Sequence, residues 1–131
     1  MLSRDTRVHL SVVGLAVAGL AVGSQLTPDP LGPLAIIGVL LYNGLVLAGA
    51  HLYLAWRGED GLVPVASRWR FIGAVAIVLV LGGISLLTDP VSVGPVSSDG
   101  LLAGFAVLVA VSYLLLEASA GYRASTDSAG S

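Results

Sequence analysis

His9, His51 and Glu117 are the residues of this chain whose types allow proton transfer or metal ligation inside otherwise apolar sequence. His51 stands six residues before Arg57, and Glu117 six residues before Arg123. On an α-helix that separation places each about 9 Å inward of an arginine, and His9, just beyond Arg7, about 3 Å inward. An ionisable group held within a bilayer is a functional candidate by default, because keeping its charge away from water is costly. If the helices face one another, His9, His51 and Glu117 form a polar cluster or proton relay, with a His51–Glu117 hydrogen bond at its centre. The competing and favoured reading is structural, with the same groups fastening helices or reaching towards headgroups.

Other chemistries are poorly supplied. The chain has no cysteine, which excludes disulfides, thiolate metal sites and thiol nucleophiles. Zinc needs three or four ligands, and His9, His51 and Glu117 would be the whole supply. Haem needs axial ligands, but the depths inferred for His9 and His51 differ by about 6 Å and no helix carries paired histidines. No P-loop and no G-x-G-x-x-G is present, and the aspartates lie mainly in loops or tails, away from any Ser-His-Asp arrangement. A net charge of −2 without a basic stripe gives no reason to expect nucleic acid. The expectation is a non-enzymatic protein with no cofactor and no metal.

The elements that position these groups follow from composition. Hydrophobic residues make up 56% of the 131 residues and charged residues only 11%, where soluble domains carry charge near a quarter. A helix needs roughly 20 apolar residues to cross a bilayer. Four runs qualify, about residues 8–26, 34–56, 69–87 and 101–120. The expected fold is an all-α integral membrane protein, a four-helix up-down bundle over residues 1–122 followed by a disordered polar tail, 123–131. Arg4 and Arg7 followed by an apolar run and "AVGS" resemble a signal peptide, but the run reaches Leu26, so the first helix is expected to be retained.

All six basic residues are arginine, a bias that suits a GC-rich genome such as a halophile's. They fall at the N-terminus, between the second and third runs, and in the tail, and the other two connections have none. The positive-inside rule then puts both termini in the cytoplasm and the chain in the cell membrane. Trp56, Arg57, Arg68, Trp69, Arg70 and Arg123 are expected as anchors at the headgroups. The two outer connections, "SQLTPDPLGP" and "SLLTDPVSVGP", share Ser-x-Leu-Thr, Asp-Pro and Gly-Pro. They suggest two tandem helical hairpins related by duplication, although shared turn chemistry accounts for part of the likeness.

Within lipid, helices associate through small residues and occasional polar contacts. Gly19 and Gly23 on the first helix, Gly44 and Ala48 on the second, and Ala103, Ala106 and Ala110 on the fourth lie at helical spacing with His9, His51 and Glu117 respectively. These stripes are expected to be packing faces. Asn43, Ser112 and Tyr42 are too deep for the headgroup region and are expected to hydrogen-bond across helices, for about 0.6 kcal/mol each. The implied partners are the lipid bilayer and either further copies of the chain or a larger membrane complex. The favoured function is accessory or assembly work by helix packing. The alternative is proton-coupled or small-solute transport through His51 and Glu117.

Overall fold

A computed structural model describes residues 1–130. The chain is helical almost throughout: α1 (Arg4–Leu26), α2 (Pro33–Gly44), a π-helical turn (Leu45–Gly49), α3 (Ala50–Trp56), α4 (Val65–Leu87) and α5 (Ser98–Ala129). The segments from Pro33 to Trp56 form one continuous span, so four helices are long and apolar enough to cross a membrane. Only 0–6% of their most apolar windows is buried within the chain. Water would penalise so much exposed hydrocarbon, whereas lipid does not.

Capping residues start the helices earlier than the apolar runs do. Ser3 accepts from Thr6 N–H at 3.1 Å to begin α1, and Pro33 opens α2 from the first turn, where its missing N–H costs nothing. Asp60 accepts from Val65 N–H at 2.9 Å ahead of α4. Ser97 accepts from Gly100 N–H at 3.1 Å ahead of α5. At its other end α5 runs on as helix to Ala129, through most of the segment expected to be a disordered tail. Ser125, Thr126 and Ser128 turn their hydroxyls back onto preceding carbonyls there. Thirty-two residues of helix span about 48 Å, well beyond the ~30 Å hydrocarbon core.

Packing follows chain order: α1 lies on the second span, the second span on α4, and α4 on α5. Between the helices, the tightest approaches at glycine are at Gly49, where an added Cβ would sit 2.8 Å from Val12 Cγ1, and at Gly83, 3.1 Å from Leu40 Cδ1. A Cβ at Gly44 would stand 3.3 Å from Leu79 Cδ1. Gly19 and Gly23 have nothing within 4 Å of such a Cβ and border an apolar cavity of about 360 Å³ between α1 and α2. Within this chain, then, Gly19 and Gly23 are not points of close helix contact. Ala103 and Ala110 on α5 are exposed, and Ala106 is half-buried.

The two outer connections differ in structure. In the first, Asp29 accepts from Leu31 N–H and Gly32–Pro33 leads into α2. In the second, Gly94–Pro95 is the tip of a short hairpin, β1 (Ser92–Val93) paired antiparallel with β2 (Val96–Ser97). Gly94 has φ +61° and proline holds φ negative, the combination of a II′ loop. The shared Gly-Pro thus serves two different turns. Near the hairpin, Ser85 donates to Asp99 at 2.7 Å, tying α4 to α5.

Candidate functional site

The start of α1, the 57–64 connection, the start of α4 and the Glu117 turn of α5 meet at one end of the molecule. A Schellman closure ends α3: Glu59 N–H donates to Leu54 O and Gly58 N–H to Ala55 O. This turn sends Glu59 back towards Arg4, which grips it with Nε at 2.6 Å and Nη2 at 2.9 Å. Arg57 approaches the same carboxylate at 3.5 Å.

Arg68 is the centre of the arrangement. Expected as a headgroup anchor, it is instead wholly buried, with 0% exposure. The reason is Asp5, in the first turn of α1, whose carboxylate accepts from Arg68 Nη2 at 2.7 Å. The same Nη2 donates to the Asp60 carbonyl at 2.7 Å, and Nη1 donates to His51 Nδ1 at 3.1 Å. Arg68 Nε is buried with no hydrogen-bond partner among the described residues. Asp5 also accepts from Leu62 N–H at 3.3 Å. Gly61 makes room for the carboxylate: it sits at φ +84°, and a Cβ there would lie 2.7 Å from Asp5 Oδ1. One guanidinium therefore joins α1, α3, the connection and α4.

His9 and His51 are brought together, with ring centroids 4.9 Å apart and edge to face. The depth difference of about 6 Å inferred from helix rise does not keep the two rings apart, and the π-helical turn ahead of His51 changes which way its ring faces. One extra residue in a helix rotates all later residues by about 100°. Gly44 and Ala48 consequently line a groove against α4, while His51 points to His9, Arg68 and Phe71. His9 Nδ1 donates to the Asp5 carbonyl at 2.8 Å. The aromatic contact continues from His51 to Phe71 at 5.0 Å and from Phe71 to Tyr113 at 5.8 Å.

Glu117 belongs to a second cluster. It accepts from Arg70 Nε at 2.6 Å and from Ser67 Oγ at 2.6 Å, and Arg70 also donates to Ser67. The expected His51–Glu117 hydrogen bond is therefore replaced by His51–Arg68 and Glu117–Arg70, since both arginines of "SRWR" turn inward. Among the neutral polar residues, Asn43 donates to Val39 O within its own helix at 2.8 Å, so it forms no bridge to another helix. Ser112 is exposed and Tyr42 half-buried, and neither side chain has a hydrogen-bond partner among the described residues. Trp56, Trp69 and Arg123 are exposed.

Asp5 and Glu59 are members of the charged cluster that the sequence alone does not single out. Asp5 was visible only as an acid in a first helical turn, and Glu59 only as part of a solvated turn. The two imidazoles touch, leaving no gap for a planar macrocycle between them. No group of three or more metal-ligating side chains gathers among the described residues.

Hydrogen bonding from Arg4, helped by Arg57, holds the Glu59 carboxyl below its ordinary pKa. A carboxyl depressed in the folded state contributes above its unfolded pKa and loses that contribution as pH falls through the folded one. A carbon-13 carboxylate titration of Glu59 should therefore give a midpoint below that of free glutamate, and Arg4→Gln should move it back up. An unchanged midpoint in Arg4→Gln would show that this pairing does not set the titration of Glu59.

No protein-family model matches the chain, and neither a curated protein nor a solved structure proves similar to it. The class defined by fold and site is thus a small helical protein with four helices of membrane-crossing length, closed at one end by paired charges.

Proposed function

We propose that this chain is a non-enzymatic integral membrane protein of the cell membrane, an assembly or accessory component that works by helix packing. Its four helices run up and down, with both termini and the arginine-bearing end in the cytoplasm. The observation that carries this reading is the pairing of the ionisable groups. Asp5 pairs with Arg68 and Glu117 with Arg70, while Glu59 takes Arg4 and, more distantly, Arg57, across helices or onto a connection. The Nδ1 lone pair of His51, which a relay would need for picking up protons, is held by Arg68. Meanwhile α5 has no buried residue, and its face away from α4 is free for another helix. That face is where a second copy or a membrane partner would pack, through Ala103 and Ala110.

A second reading rests on the His9–His51–Phe71–Tyr113 contact, which places two imidazoles and a phenol along one line of rings. It makes the chain a proton-coupled or small-solute transporter. Two variants separate the readings. Under assembly, Ala110→Leu weakens self-association or co-purification from native membranes, and Glu117→Gln leaves liposome permeability unchanged. Transport requires a pH-dependent flux that Glu117→Gln abolishes, and that result would overturn the proposal.

A further inference from the structure

We infer that the groove between α1 and the second span, at the arginine-bearing end, is a binding site for one anionic phospholipid. The groove encloses about 430 Å³ and has an apolar floor of Val8, Val12 and Leu15 on one face of α1, with Tyr53 as the opposite wall. Arg7 and Arg4 stand at its mouth. Leu15 lies eight residues beyond Arg7, so the floor runs about 12 Å along the helix from the cation, in the direction an acyl chain takes from its phosphate.

Charge decides the headgroup. Arg4 and Arg57 share the single carboxylate of Glu59. The Arg7 guanidinium has neither a hydrogen bond nor an ion pair among the described residues. Two arginines thus line the groove, and the one carboxylate paired with Arg4 is also approached by Arg57, so Arg7 keeps its charge uncompensated. Ser11 turns its hydroxyl onto the Arg7 carbonyl at 2.9 Å, which leaves headgroup recognition to the guanidinium and the Tyr53 hydroxyl. Basic pockets between membrane helices are the kind of site that holds anionic headgroups. A zwitterionic lipid brings its own cation to the same place and gains less.

Native mass spectrometry of the detergent-solubilised full chain tests this with dioleoylphosphatidylglycerol, dioleoylphosphatidylcholine and inorganic phosphate as probes. The expected result is retention of one phosphatidylglycerol in preference to phosphatidylcholine. Arg7→Gln should weaken that retention about fivefold, the worth of one arginine near a lipid surface, while Arg7→Lys keeps most of it. Val8→Trp, which fills the floor and leaves the charges, should also lower retention with helicity unchanged by circular dichroism. Equal retention of the two lipids, or an Arg7→Gln variant that binds as wild type does, would overturn the inference. So would displacement of the lipid by inorganic phosphate, because the site would then recognise an anion without its chain.

Discussion

Asp5→Ala is expected to lower the unfolding free energy by about 3–5 kcal/mol, since it leaves the Arg68 guanidinium buried without its counter-charge. SDS-titrated unfolding in mixed micelles, read by emission of Trp56 and Trp69, measures the loss. The whole of Arg68 is enclosed and Asp5 is nearly so, and Nε already lacks a partner. Removing the carboxylate would leave the guanidinium with only a carbonyl and an imidazole. The paired replacement Asp5→Leu/Arg68→Met should recover most of the loss, because apolar residues of similar size commonly match or exceed a buried ion pair. A small single-variant effect, or a double variant as unstable as Asp5→Ala, would show that the pair does not fasten α1 to α4.

Gly49→Ala is the second large expectation, at about 1–3 kcal/mol of destabilisation from overpacking. The added methyl would stand 2.8 Å from Val12 Cγ1, and a β-branched side chain on a helix has little rotamer freedom with which to move away. Val12→Ala in the same chain should restore the contact and most of the stability. Gly14→Ala serves as the comparison: nothing lies within 4 Å of its Cβ position, so alanine there should stabilise by the helix preference of roughly 0.5–1 kcal/mol. If both glycine variants behave alike, the close approach of α1 to the π-helical turn is not as described.

The spans were legible because hydrocarbon length sets them. The ends at Leu26, Trp56 and Leu87 match the points where the apolar runs stop. The site was legible only in part. His9, His51 and Glu117 stood out by residue type, but their partners depended on features without a local signature. Asp5 and Arg68 are 63 positions apart, and nothing around either one names the other. The π-helical turn leaves no mark in composition, yet it decides which way His51 points. Arg68 and Arg70 looked alike as interfacial cations, and the tertiary contact with Asp5 separates them. Gly94–Pro95 and Gly32–Pro33 read as one motif because proline and glycine mark turns without specifying which turn. The helical extension to Ala129 was hidden by a polar composition that suits loops and exposed helix equally.

The ionisable cluster, on this reading, holds helices in place and carries no protons. Liposomes containing the full chain, loaded with a pH-sensitive dye and given an inward proton gradient, test that most directly. The expected rate of internal acidification equals that of protein-free liposomes, for wild type and His51→Gln alike. A faster wild-type rate that His51→Gln or Glu117→Gln returns to the protein-free level would contradict it.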